Sequence, residues 1–94
     1  MADVIRHYKK KKYMFYVYIL KCADGKPYTG CTNDLKNRIK RHHSGYVDAT
    51  KSRLPLELEN YFAFKDEKIA FRFEKYLKSS SGRAFVKKHF TRHS

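Results

Sequence analysis

The chain has 94 residues, with 22 Lys or Arg against 9 Asp or Glu and a net charge of +13. That length supports one domain with a modest core and excludes a large nucleotide-binding fold joined to a second substrate domain. A hydrophobic content of 41%, including 7 Phe and 8 Tyr, excludes a disordered chain, and the charge makes a polyanion (DNA, RNA or an anionic membrane surface) the expected partner.

Residues 1–13 read as a basic, flexible N-terminal arm containing the run Lys9–Lys12. Followed by Met14–Leu20, that run imitates a secretory signal, but the apolar part is too short and ends at Lys21. No segment approaches the roughly 18 apolar residues of a membrane helix. Phe15–Cys22 is dense in aromatic and β-branched residues and predicts a buried strand. Ala23-Asp24-Gly25-Lys26 is a turn, and Pro27–Thr32 returns as the second strand of a hairpin. Asn33 or Asp34 caps a helix to about Ser44, where Gly45 ends it. Leu35, Ile39 and His42 share one face of that helix, with Arg38 beside them. Residues 45–55 form a loop closed by Pro55, and Leu56–Phe64 is a third strand weakened by Glu57 and Glu59. Asp66 caps a second helix to about Ser79, with the stripe Ile69, Ala70, Phe73, Tyr76 and Leu77. Ser79-Ser80-Ser81-Gly82 breaks it, and Arg83–Phe90 forms a short basic third helix before the tail at 91–94. The order β-β-α-β-α-α predicts an α+β domain over 14–90, with a three-stranded sheet flanked by helices.

No phosphate-cradling glycine loop and no serine nucleophile motif is present. Cys22, Cys31, His42 and His43 fit no zinc spacing, so the cysteines read as small packing residues. Two cysteines without a disulfide framework suit a reduced, cytoplasmic protein. A more informative set is Tyr18 and Tyr28 in paired strands, Arg38 and His42 one helical turn apart, and Glu74 at the edge of the second helix's stripe. These types suit metal-assisted phosphodiester hydrolysis. A carboxylate binds a hard cation, an arginine neutralises phosphate charge, and Tyr or His positions and deprotonates water. Spacing alone favours a plainer reading: core tyrosines, surface ions and a helix-face histidine. Lys36, Lys40, Arg41, Lys51, Arg53, Lys78, Arg83, Lys87 and Lys88 are the candidate backbone contacts to nucleic acid.

Tyr16-Val17-Tyr18 followed by Tyr28-Thr29-Gly30 resembles the paired signature of the GIY-YIG nuclease superfamily. Thr32-Asn33-Asp34-Leu35-Lys36-Asn37-Arg38 resembles that family's helix start. ATKSRLP at 49–55 and EKYLKSSSGR at 74–83 resemble its small stand-alone bacterial members, described as YhbQ-like or excinuclease-like. The resemblance implies a three-stranded antiparallel sheet and metal-dependent DNA cleavage in repair or recombination. By motif it assigns catalytic roles to Tyr18, Tyr28, Arg38 and His42, and assigns Glu74 as the ligand of one divalent cation, Mg²⁺ or Mn²⁺. A tyrosine, Tyr18, helps to activate water, which requires a cationic neighbourhood to lower its pKa. Tyr16 stands for the usual Gly, Thr29 for Ile and Ser80 for Gly. The Asn that many relatives carry about a dozen residues after the Glu is absent from Arg83–Lys88. The alternative is a nucleic-acid-binding module on a nuclease fold with weak or no catalysis. Either way the expected partner is DNA, with no membrane, no small-molecule cofactor, and a protein partner for targeting.

Overall fold

A computed structural model describes residues 14–90. The arm with Lys9–Lys12 and the tail with Arg92 lie outside the described residues. The chain runs β1 (Phe15–Lys21), β2 (Pro27–Thr32), α1 (Leu35–His43), a 3-10 turn (Lys51–Arg53), β3 (Glu57–Phe64), α2 (Glu67–Lys78) and α3 (Ser80–His89). This is the expected α+β order. The sheet is antiparallel with order β2-β1-β3.

The central position of β1 explains its sequence. Val17, Tyr18, Ile19 and Leu20 are consecutive and all buried. Alternate residues face opposite sides of a strand, so a run buried at every position requires cover on both faces. On one face Val17 and Ile19 pack with Ala70 and Leu77 of α2, joined by Phe62, Phe64, Phe73, Phe85 and Val86. Phe62 and Phe73 meet edge to face at 4.9 Å, a favoured aromatic geometry. On the other face Tyr18, Leu20 and Cys22 pack with Leu56, Leu54, and Leu35 and Ile39 of α1. The strand stops at Lys21, one residue earlier than expected, and Cys22 is buried beyond its end.

Local chemistry sets the boundaries. Asp34 caps α1 by accepting from the Asn37 amide at 3.2 Å, and Gly45 closes it at φ +78. Asp66 caps α2 through the Lys68 and Ile69 amides. Gly25 takes φ +80 in the hairpin turn. Of the two glutamates in β3, Glu57 pairs opposite Lys21 and Glu59 is accommodated by a bulge. Ile19 pairs with Asn60 and Leu20 with Leu58, leaving Glu59 as the extra residue.

The expected break at 79–82 is shorter than its composition suggests, because Ser80, Ser81 and Gly82 belong to α3. Ser79 alone makes the corner. It is extended, its hydroxyl donates to the Tyr76 carbonyl at 2.6 Å, and its oxygen accepts from the Gly82 amide at 3.1 Å. Gly82 is buried where a Cβ would overlap the Tyr76 carbonyl oxygen and the Leu77 backbone. Backbone cannot swing aside, so Gly82→Ala is expected to cost about 2–3 kcal/mol, read as a lower urea midpoint. Phe71, off the expected stripe, is 51% exposed and not packed beneath α3. Ile69 and Tyr76, placed on that stripe, are also exposed, and the buried contacts of α2 come from Ala70 and Leu77.

Candidate active site

The site grows from the pairing of β1 with β2. Tyr18 lies directly opposite Gly30. A Cβ at Gly30 would overlap the Tyr18 phenol, so the glycine gives the ring room to lie across the edge strand. The hydroxyl thereby reaches α1. There it lies 2.8 Å from His42 Nε2, and Arg38 Nε donates to it at 3.5 Å. Tyr28 completes the group, its ring 5.3 Å from that of His42 and 6.4 Å from that of Tyr18. Residues distant in sequence are thus brought together by one strand pair and one helix face.

His42 is not a surface histidine, since it is fully buried. Its second nitrogen, Nδ1, lies 2.8 Å from the Thr50 hydroxyl, which is also buried. Burial, with Arg38 and His43 adding like charge, pushes its pKa down to about 4, so the imidazole is neutral near pH 7. Arg38 already donates to the Tyr18 oxygen. The arrangement that satisfies every group has Tyr18 donating to Nε2 and the Nδ1 proton donated to Thr50, an assignment made from the network. Thr50 has no mark in the sequence beyond its place in the ATKSRLP segment. It sits in a loop eight positions after His42, outside any helical periodicity.

The tyrosine differs from expectation in one respect. Tyr18 has its pKa raised, because burial outweighs the lowering effect of Arg38. The nearby excess of cations therefore does not make it a tyrosinate near neutral pH. Arg38 has its pKa raised by the Tyr18 hydrogen bond. It is only half-buried, whereas the Tyr18 it contacts is wholly buried.

Glu74 comes from α2, on the opposite layer. It lies near enough to β2 and β1 for its charge to raise the pKa of both Cys31 and Tyr18. Its side chain is 21% exposed, and its carboxylate pairs with Lys78 at 3.1 Å. Such a partly exposed pair is worth about 0–1 kcal/mol and yields readily to a stronger cation. Among the described residues, no group of three or more His, Cys, Asp or Glu forms a cage. One accessible carboxylate nevertheless fits Mg²⁺, which takes one or two carboxylates and fills its shell with water and phosphate oxygens.

The basic residues divide by position. Lys36, Lys40 and Arg41 are exposed on α1, whereas Arg83, Lys87 and Lys88 are exposed on α3. Lys51 pairs with Asp48 at 3.3 Å, and Lys78 is held by Glu74. Arg53 is a strut. Its Nε donates to Asp24 Oδ2 at 2.9 Å, and a terminal nitrogen donates to Asp24 Oδ1 and the Lys26 carbonyl at 3.2 Å. That fork ties the hairpin turn to the loop before β3 and occupies the group a phosphate would need.

The described residues thus form an α+β domain with a Tyr–His–Arg cluster between its hairpin and α1. Residues 14–89 match the GIY-YIG catalytic domain, and the chain belongs to that family, a nuclease family. Its similar relatives are small stand-alone proteins. The UPF0213 protein SAG0778 of Streptococcus agalactiae serotype V is 37% identical over 78 residues, covering 79% of this chain and 89% of the relative. The UPF0213 protein BH0048 of Halalkalibacterium halodurans is 45% identical over 69 residues, covering 72% and 73%. The solution NMR structure of BH0048, from Bacillus halodurans, aligns with a TM-score of 0.53 at 38% identity, covering 82% of this chain and 86% of that one. Among the described residues no helix is long and apolar enough to cross a membrane.

Proposed function

We propose that this protein is a metal-dependent endonuclease that hydrolyses DNA phosphodiester bonds, acting in the cytoplasm in repair or recombination. The observation that carries this reading is the buried Tyr18–His42–Thr50 chain, capped by Arg38 at the edge of the sheet. A structural core does not need three linked polar side chains with a guanidinium over them, whereas a proton-transfer site does.

The residues divide the work as follows. Arg38 holds Tyr18 at 3.5 Å, the outer limit of a hydrogen bond. A phosphate offers the guanidinium a charge-assisted pair and draws it away from the phenol. That movement uncovers the Tyr18 hydroxyl to a water beside the phosphate. A phenol with a raised pKa does not act as a free base. It takes the proton of the attacking water as it passes its own to the neutral His42. His42 touches no substrate and is a positioning and relay residue, and Tyr28 buttresses its ring. Glu74 would hold the divalent cation, which when bound neutralises phosphate charge and stabilises the leaving oxygen. Lys36, Lys40 and Arg41, exposed on the same helix as Arg38, would track the backbone without reading sequence.

A binding module without cleavage is the second reading, supported by the exposed rings of Tyr46, Tyr61 and Phe71, on which bases could stack. One assay separates the two. Purified protein is incubated with plasmid, single-stranded, flap and branched DNA, with Mg²⁺ or Mn²⁺ and with a chelator. The wild type is expected to cut with metal and not with chelator, and Glu74→Ala and Arg38→Ala to cut far less. A wild type that cuts nothing, or a Glu74→Ala protein that cuts equally well, removes the enzyme reading.

A further inference from the structure

On the face of the sheet opposite Tyr18, a cleft of about 260 Å³ opens between the strands and the α2–α3 pair. Its floor is one row across all three strands, Thr29, Ile19 and Asn60. Leu77 and Phe90 supply apolar wall, and Lys78, Arg83 and Lys87 line the helical side. Glu59, the bulge residue, lines the strand side beside Asn60.

We propose that this cleft binds a phosphorylated nucleotide, in a site distinct from the Tyr18 cluster. Its volume is below the usual range for drug-sized ligands, which admits one nucleotide and excludes a duplex. The charge is polarised: three cations stand on the helical side and one carboxylate on the strand side. A phosphate is drawn to the first and repelled by the second. Glu59 and Asn60 lie on the strand side, where a base would present amino and ring-nitrogen groups. An anionic acyl chain would satisfy the cations but leave Asn60 and Glu59 covered without hydrogen-bond partners, at a cost of about 1–3 kcal/mol for each such group. A nucleotide satisfies both ends and lays an apolar ring face against Leu77 and Phe90.

Arg83 and Lys87 make no ion pair among the described residues, whereas Lys78 is engaged by Glu74. The first two are therefore the residues to change. The test is an amide NMR titration of the full chain with deoxyadenosine 5′-monophosphate, deoxyadenosine, inorganic phosphate and an acidic peptide. The monophosphate is expected to bind at least about tenfold tighter than any of the other three, shifting Thr29, Asn60 and Arg83. Arg83→Ala/Lys87→Ala should weaken it about tenfold, as loss of charged hydrogen bonds predicts. Glu74→Gln, which releases Lys78 into the cleft, should bind the monophosphate at least as tightly as the wild type does, whether or not the wild type cleaves DNA. Oligonucleotides with a 5′-phosphate or a 5′-hydroxyl identify the source. If the phosphorylated end reproduces the monophosphate's shifts, the site takes strand ends; if neither does, it takes free nucleotides. A monophosphate bound no tighter than phosphate or the acidic peptide, an unaffected double variant, or shifts confined to the Tyr18 face would overturn the assignment.

Discussion

Tyr18→Phe is expected to lower DNA cleavage by about 10²–10⁴-fold, the range for loss of a positioned general acid–base group, while DNA affinity stays the same. The substitution removes one oxygen and keeps the ring that lies across Gly30. The oxygen meets both Arg38 and His42. Its removal leaves His42 Nε2 buried without a partner, which should cost about 1–3 kcal/mol of stability. Tyr28→Phe serves as the comparison, because Tyr28 contributes ring contacts to His42 and no hydrogen bond to it. Single-turnover cleavage, fluorescence anisotropy and urea unfolding on the two variants give rate, binding and stability separately. Equal cleavage by Tyr18→Phe and the wild type would sink the relay. A parallel loss of binding would instead make Tyr18 a scaffold for Arg38.

The Tyr18–His42–Thr50 chain also shows where sequence reading reaches its limit. The strands and caps are legible because their causes are local. A run buried on both faces has to be apolar throughout, as Val17 to Leu20 are, and Asp34 and Asp66 stand where helix amides need acceptors. Tyr18, Tyr28, Arg38 and His42 can be grouped by spacing and motif, because one hairpin and one helix turn bring them together. What spacing does not supply is depth. Helical periodicity places His42 on a face but does not reveal that Thr50, from an irregular loop, folds over it. Counting cations around Tyr18 suggests a lowered pKa, yet burial is a property of the finished fold, and it wins. Arg53 reads as phosphate-binding charge for the same reason. Nothing local to it reveals that Asp24, 29 residues earlier, returns to accept its fork. Ser80–Gly82 resembles a break by composition, although a close helix approach also selects glycine.

The buried histidine makes the fold acid-sensitive in a defined window. His42 titrates near 4 when folded and at about 6.5 when unfolded, so between those values the unfolded chain holds the extra proton. Stability therefore rises with pH across that window and is lost as pH falls from about 6.5 toward 4. A difference of about 2.5 pH units corresponds to about 3 kcal/mol, a sizeable share of the total for a domain this small. Urea unfolding of the wild type at pH 7, 6, 5 and 4 should show that fall. Carboxylates such as Asp24, whose pKa is lowered by the Arg53 pair, release their share only nearer their own range, so they cannot account for a loss that begins above pH 5. His42→Gln keeps an amide able to meet Tyr18 and Thr50 but does not titrate. It should be less stable than the wild type at pH 7, and its curve should be nearly flat from pH 6.5 to 5. Equal slopes in the two proteins would mean that His42 titrates alike in the folded and unfolded states, and the lowered pKa of the buried imidazole would be refuted.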